Sequence, residues 1–194
     1  MERQEEESHP FTPYIPEGAQ ILMLGTFPPK SDKWSMPFYY PNWINDMWRI
    51  MGHIFYCDRN HFCIEAAKSF KLDEIKAFLN ERGIGLYDTG SRVIRLKGNA
   101  SDKYLEISQS IDLNSFLERY PTLHAVVTTG EKAASVVSAL TGTELPPMGG
   151  RASFMFGGRT VTHYRMPSSS RAYPMKLERK AEYYRQMFVA TGVI

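Results

Sequence analysis

Residues 21–29 are ILMLGTFPP, an unbroken apolar run that ends in a turn built from Gly, Thr, Phe and Pro. Such a run is typical of a strand that is buried on both faces of a parallel sheet. Residues 165–174, RMPSSSRAYP, repeat this plan of a strand end followed by a loop of small residues and Pro. The sites of open α/β folds are built from loops at the carboxyl edge of the sheet. We therefore predict that these two loops face one another across that edge.

Strand-like and helix-like segments alternate through the rest of the chain. A second buried strand is predicted at 123–129, and residues 154–165 predict a hairpin that turns at Gly157-Gly158. Helices are predicted from an N-cap at Asn42, at 72–82, from Asp112 to Arg119, from Glu131, and at 175–191. Residues 84–96 predict a short strand and an irregular stretch, and residues 98–107 a turn and a short helix. This alternation predicts an α/β fold, a three-layer α/β/α sandwich around a mainly parallel, four-stranded central sheet.

Length and charge limit the classes of protein that the chain can be. Its 194 residues suit one domain, predicted at 10–194 and preceded by a disordered acidic tail at 1–9. The net charge is only +2, but residues 151–194 hold eight Lys or Arg and two Glu, a local net charge of +6. This basic region suits a polyanionic partner, or it is simply a solvated helix face.

The cysteines and the N-terminus indicate a compartment. Cys57 and Cys63 cannot by themselves build an iron–sulfur cluster or a structural zinc site. The polar, acidic N-terminus is unlike a signal peptide, and no apolar run approaches membrane-spanning length. We therefore expect a cytoplasmic protein without a membrane partner. We also expect a monomer.

Four short motifs occur in a fixed order along the chain. They are residues 25–29 (GTFPP), the pair Tyr39-Tyr40, Asn45 shortly before Met47-Trp48, and residues 166–172 (MPSSSRA). In order, spacing and placement at predicted strand ends, they resemble the motifs of the uracil-DNA glycosylase superfamily over roughly residues 10–190. The nearest resemblance is to its hypoxanthine-DNA glycosylase branch. Asp102 of this chain also matches an acidic position of that branch.

The resemblance implies an enzyme that flips a deaminated base, uracil or hypoxanthine, out of DNA and removes it by hydrolysis, without a metal or organic cofactor. Many superfamily members position the attacking water with an Asp or Asn in the first motif. Thr26 and Phe27 stand there in this chain, so the resemblance assigns the water to Asn45. Contacts to the base are implied for Gly25, Thr26, Phe27, Phe38, Tyr39, Tyr40 and Thr129. Contacts to the DNA are implied for Pro167, Ser168, Ser169, Ser170 and Arg171.

Two departures from the superfamily pattern keep other functions open. Thr129 stands where the middle motif often has an Asn, and Met166 where many members have a His that stabilises the leaving base. A second possibility is therefore a nucleic-acid or nucleobase binder that keeps the fold without catalysis. A third is an unrelated α/β enzyme that acts on a small nucleotide. If these residues have only structural roles, Asn45 is a polar helix residue and residues 38–40 are core aromatics. Residues 168–170 are then a common turn.

Overall fold

A five-stranded sheet forms the centre of the protein in a computed structural model that describes residues 5–96 and 104–194. In spatial order its strands are β5 (Ile84–Asp88), β2 (Ile21–Gly25), β8 (Ala125–Thr129), β10 (Arg159–Met166) and β9 (Arg151–Phe156). The first four run parallel, and β9 pairs antiparallel with β10. The prediction of a mainly parallel sheet is confirmed. The prediction of four strands is wrong, because both arms of the hairpin at Gly157-Gly158 join this sheet.

The apolar run at 21–24 explains the central position of β2. Every residue of β2 and of its neighbour β8 is buried. Successive side chains of a strand point to opposite faces, so Ile21 and Met23 enter one hydrophobic core while Leu22 and Leu24 enter the other. A strand that contributes to two cores has no polar face, which is why its sequence shows no alternation.

In the described segments, five α-helices cover the two faces of the sheet. They are α1 (Met47–Tyr56), α2 (Leu72–Arg82), α3 (Leu113–Arg119), α4 (Glu131–Thr141) and α5 (Leu177–Thr191). Residues of α1, α2 and α5 pack in one hydrophobic core, and residues of α3 and α4 pack in the other. The protein is therefore a three-layer α/β/α sandwich. None of these helices is long and apolar enough to cross a membrane.

Helix α1 begins later than the predicted cap at Asn42, because the chain first makes a turn. Within it, the Ile44 N–H donates to the Asn42 side-chain oxygen at 3.1 Å, and the Asn45 N–H donates to the Asn42 carbonyl at 2.8 Å. The Asn42 side chain is thus used inside the turn. The turn leaves Asn45 just ahead of the helix rather than on one of its faces.

Two smaller sheets lie outside the central one. Strands β1 (Glu6–Ser8), β6 (Gly90–Arg95) and β7 (Leu105–Ser110) form an antiparallel sheet in the order β1-β6-β7. A two-stranded ribbon joins β3 (Cys63–Ile64) to β4 (Ser69–Phe70). Strand β7 takes the place of the predicted short helix over residues 105–107, and β6 takes the place of the irregular stretch. The rest of the predicted turn and helix, at 98–103, lies outside the described residues.

The predicted disordered tail is wrong for residues 6–9. Charge pairing explains the difference, because Glu7 accepts a hydrogen bond from Arg95 at 2.9 Å and Glu6 accepts one from Arg92 at 3.2 Å. These pairs join β1 to β6 and bring His9 to the edge of the central sheet. Residues 1–4 of the predicted tail, and Asp102, lie outside the described residues.

Candidate active site

A cleft of about 960 Å³ opens at the carboxyl edge of the central sheet. The end residues of all four parallel strands line it: Asp88, Gly25, Thr129 and Met166. The loop that follows β2 and the loop that follows β10 both border this cleft. These are the two loops that the sequence predicts to face one another. The predicted site residues that line this cleft are Gly25, Thr26, Phe27, Tyr40, Asn45, Thr129, Pro167, Ser168, Ser169 and Ser170.

Phe38 and Tyr39, predicted to contact the base, lie in the hydrophobic core instead. The Phe38 ring stacks with the ring of Trp48 at a centroid distance of 6.3 Å. Tyr39 is 2% exposed, and its hydroxyl donates to the Thr12 carbonyl at 2.7 Å. Both rings are buried residues of the hydrophobic core that also contains residues of α1. Of the three consecutive aromatic residues, Tyr40 is the one that reaches the cleft.

Tyr40 has an unusual backbone conformation, with φ at 51° in the left-handed region. Bulky residues rarely adopt this region, and it costs of order 1–3 kcal/mol. Its hydroxyl shares a 3.2 Å hydrogen bond with Thr129 Oγ1. Burial, and the nearby Asp88 carboxylate, raise the pKa of Tyr40, so the phenol stays neutral. The site therefore holds a tyrosine with a strained backbone, and its hydroxyl is bonded to a strand end.

Asn45 stands on the wall of the cleft, between the turn and α1. Its side-chain oxygen accepts a hydrogen bond from the Met47 N–H at 2.9 Å. Because that donor can only meet an oxygen, the orientation of the amide is fixed and its NH₂ group is left for other partners. The backbone of Asn45 forms a β-bridge with Ser170. Asn45 is thus tied to both the helix and the loop that follows β10.

The serine loop, residues 167–171, is held by its own hydroxyls. Ser168 Oγ accepts a hydrogen bond from the Ser170 N–H at 3.2 Å, and Ser170 Oγ accepts one from the Ala172 N–H at 3.2 Å. The Ser169 carbonyl accepts a hydrogen bond from the Asp46 N–H at 2.9 Å. These hydrogen bonds fix the shape of the loop. In them Ser168 and Ser170 act only as acceptors, so the bonds do not use their hydroxyl protons.

Arg171, predicted to contact DNA, is bonded to Asp46 and does not line the cleft. Its Nε donates to Asp46 Oδ1 at 2.8 Å, and the other carboxylate oxygen lies 3.6 Å from Nζ of Lys180. Lys180 is 0% exposed and donates to the Ser170 carbonyl at 2.7 Å. Burial lowers the pKa of Lys180, and the Asp46 carboxylate opposes that shift. This group of three charges, in which Asp46 and Lys180 are buried and Arg171 is exposed, fixes the serine loop against α1.

The sequence did not lead us to two functional candidates, Asp88 and His9. Asp88 ends β5 beside Gly25 in the sheet register, is buried, and lines the cleft. Its Oδ2 accepts a hydrogen bond from His9 Nε2 at 2.8 Å. A signal for Asp88 was present, because the buried strand IGLYD ends in a carboxylate at the same edge as Gly25. No such signal marks His9, which was assigned to the tail.

Several solved structures match the chain, among them one that spans almost its whole length. It is a solution NMR structure of a protein from Methanosarcina acetivorans, described as a candidate uracil DNA glycosylase. The match has a TM-score of 0.64 at 21% sequence identity and covers 97% of this chain and 99% of that one. The two chains share one fold. No known protein family matched the chain, and no curated protein did.

Proposed function

We propose that this protein is a DNA glycosylase that removes a deaminated base, uracil or hypoxanthine, by hydrolysis of its bond to the sugar. The observation that carries the proposal is the cleft at the sheet edge, which unites an aromatic ring (Tyr40), an amide (Asn45) and the serine loop. The fold likeness to a structure described as a candidate uracil DNA glycosylase supports it. A nucleotide taken out of the duplex needs these three kinds of contact, to its base, its sugar and its phosphates.

The base would lie against Tyr40. Every base has a π-face, and stacking on an aromatic side chain holds it without regard to sequence. The cleft of about 960 Å³ is at the upper end of the usual range for small-molecule sites, which leaves room for a base with its sugar. Negative charge develops on the departing base, and the hydroxyl pair of Tyr40 and Thr129 offers a donor to stabilise it.

The attacking water would be held by Asn45. One lone pair of its side-chain oxygen is taken by the Met47 N–H, so the second lone pair and the NH₂ group remain to orient a water molecule. An amide is not a base at neutral pH, so the water would be positioned rather than deprotonated. We therefore expect a slow hydrolysis step.

The phosphates that flank the flipped nucleotide would meet the serine loop. Ser168 and Ser170 each accept a backbone N–H through their oxygen, so each can donate its own proton to a phosphate oxygen. Residues 151–194 carry a local net charge of +6, from eight Lys or Arg and two Glu, which favours association with the polyanion. Binding is accordingly expected to weaken steeply with salt concentration.

The test is a single-turnover assay on duplexes that hold one uracil, hypoxanthine, xanthine or mismatched thymine, with alkali used to reveal abasic sites. Wild type is expected to cleave at uracil or hypoxanthine, and Asn45→Ala is expected to lose about 10²- to 10³-fold in rate. Asn114→Ala, a change on α3 away from the cleft, is the matched control and should cleave like wild type. The proposal is wrong if wild type cleaves at none of these bases and shows no affinity for abasic duplexes.

A binding protein without catalysis is the second candidate. It is favoured by the oxygen of Asn45, which is already bonded to the Met47 N–H, and by Thr26 and Phe27 in the motif where a carboxylate is often found. Tight, salt-dependent binding to an abasic duplex together with no cleavage of any substrate would select this function over the first.

A further inference from the structure

The floor of the cleft is formed by the strand ends Gly25, Asp88 and Thr129. A Cβ placed on Gly25 would lie 2.5 Å from Asp88 Oδ1 and 3.7 Å from Thr129 Oγ1. The missing side chain at Gly25 therefore makes the room in which that carboxylate oxygen sits. Since Gly25 itself lines the cleft, Oδ1 of Asp88 borders the same open space. Asp88 is 6% exposed, so it is a buried carboxylate placed at the inner end of the site.

His9 holds the other oxygen of this carboxylate. Its Nε2 lies 2.8 Å from Asp88 Oδ2, and its Nδ1 lies 2.9 Å from the Phe11 carbonyl and 3.1 Å from the Phe11 N–H. Four aromatic rings surround the imidazole, those of Phe11, Phe27, Tyr39 and Tyr87, at centroid distances from 4.7 to 6.0 Å. Hydrogen bonds at both nitrogens and contacts with the surrounding rings thus hold the imidazole in place. Asp88 is held in one orientation as a consequence.

The neighbours of Asp88 place it at the base end of the site rather than at the phosphate end. The Asp88 charge acts on Tyr40, whose hydroxyl is bonded to Thr129. Asn45 and the serine loop instead contact one another. The other carboxylate among the described lining residues, Glu131, is 73% exposed and bonded to Arg165. Asp88 is therefore the buried acceptor next to the ring on which a base would stack.

We propose that Asp88, positioned by His9, recognises the flipped base by accepting a hydrogen bond from a ring N–H. This inference rests on the proposed glycosylase function and names its substrate class: bases that carry a ring N–H beside a carbonyl. Deamination creates this group, because N3 of cytosine and N1 of adenine are acceptors whereas N3 of uracil and N1 of hypoxanthine carry a proton. A carboxylate attracts the N–H of the deaminated base and repels the lone pair of the parent base.

The experiment pairs a change in the protein with a change in the base. Wild type and Asp88→Asn are assayed on duplexes with uracil or N3-methyluracil, in which a methyl group replaces the proton that Asp88 would accept. Asp88→Asn is expected to lose about 10- to 100-fold in rate on uracil, the range for one hydrogen bond to a charged group. It should lose little on N3-methyluracil, so the ratio of the two rates falls by at least about tenfold.

His9 is tested as a positioning residue by two variants. His9→Phe keeps a ring but removes the donor to Asp88, and it should lower the same rate ratio by a smaller factor than Asp88→Asn does. His9→Gln retains a donor and should recover part of that ratio. The matched control is Glu74→Gln, because Glu74 also faces a histidine, His61 at 3.9 Å, in an exposed pair outside the cleft. Thermal unfolding of each variant separates loss of recognition from loss of folding.

Binding gives a readout that does not depend on turnover. Duplexes with a 2′-fluorinated uracil nucleotide resist hydrolysis, so affinity can be compared with that for the fluorinated N3-methyl version. A preference for the N–H base in wild type that Asp88→Asn abolishes would support the inference. If wild type cleaves uracil and Asp88→Asn leaves the rate ratio unchanged, the inference is wrong and the glycosylase function stands. If wild type cleaves at no deaminated base and binds neither these duplexes nor an abasic duplex, both are wrong.

Discussion

Asp46 and Asp88 are both buried carboxylates beside the same cleft, yet their oxygens are used differently. Both oxygens of Asp46 face a cation, since Oδ1 accepts from Arg171 at 2.8 Å and Oδ2 lies 3.6 Å from Nζ of Lys180. Asp46 does not line the cleft, and both of its oxygens are directed at these two cations. The pairs of Asp46 with Arg171 and Lys180 attach the serine loop to α1.

Asp88 has one oxygen on His9 and the other over Gly25 at the cleft floor. The comparison with Asp46 shows that a buried, paired carboxylate is a structural tie or a recognition group according to where its second oxygen points. A buried ion pair is by itself weak evidence of either role. The predictions below test this difference, first on the Asp46 side.

The largest effect is expected from Lys180→Met. It removes a cation that is 0% exposed and leaves Asp46 buried with one partner fewer. Loss of one member of a buried ion pair costs about 3–5 kcal/mol, so the free energy of unfolding should fall by that amount in urea denaturation. The control is Arg179→Met, since Arg179 is the exposed neighbour of Lys180 and pairs with Glu182 on the surface. That change should have little effect on stability, because an exposed ion pair contributes little. Equal effects of the two changes would contradict the structural role of Asp46.

A buried histidine without a carboxylate partner sharpens the comparison with His9. His163 is 0% exposed, and its Nε2 lies 2.8 Å from Thr128 Oγ1, which donates its own proton to the Tyr164 carbonyl. Nε2 must therefore carry the proton and donate it to Thr128. Among the described residues, Nδ1 has no hydrogen-bond partner that would accept a second proton. Burial, and then the charge of Arg165, lower the pKa of His163 to about 4.

This shift predicts a loss of stability in acid. The unfolded chain binds a proton at His163 below its ordinary pKa of 6.5, whereas the folded protein does so only near pH 4. His163 therefore lowers the free energy of unfolding by about 3 kcal/mol as the pH falls from 7 to 4. Urea denaturation across this range should show a shallower pH dependence for His163→Gln than for wild type. The exposed His53→Gln is the matched control. An unchanged slope in His163→Gln would show that this histidine is not neutral in the fold.

The contrast between the two carboxylates could not be predicted from the sequence, although the fold around it largely could. The apolar run of β2 and the helix at 72–82 follow from local pattern, because burial of a strand or of a helix face depends on neighbours in sequence. The His9–Asp88 pair joins residues 79 positions apart, and it depends on β1 adding to a sheet that was not predicted.

The three consecutive aromatics at 38–40 show a second limit. Composition indicates rings that either fill a core or contact a ligand, and the structure uses Phe38 and Tyr39 for the core and Tyr40 for the cleft. The positive φ of Tyr40 accompanies this division. A backbone angle of this kind depends on tertiary packing, and no residue type in the segment predicts it, since Gly would be the usual choice.

The smallest effect is expected from Gly25→Ala, which tests the Asp88 side of the comparison directly. The added Cβ would lie 2.5 Å from Asp88 Oδ1, so the carboxylate must move away from the position in which His9 holds it. Overpacking of this kind costs about 1–2 kcal/mol in the free energy of unfolding. The effect on recognition should exceed the effect on folding, because the displaced oxygen is the one that borders the cleft. We expect the preference for uracil over N3-methyluracil, measured by binding to the fluorinated duplexes, to fall, while thermal unfolding shows only this modest loss of stability.

The control for that change is Gly85→Ala, on β5 of the same sheet. Its Cβ would meet the Ile15 side chain at 3.3 Å, a milder contact with an apolar group outside the cleft. A similar loss of stability in the two variants, with loss of base preference in Gly25→Ala alone, would separate the recognition role of Asp88 from general packing of the sheet. Loss of preference in both would mean that the cleft senses sheet packing as a whole. In that case the free oxygen of Asp88 would not distinguish it from Asp46, and the comparison on which its recognition role depends would fail.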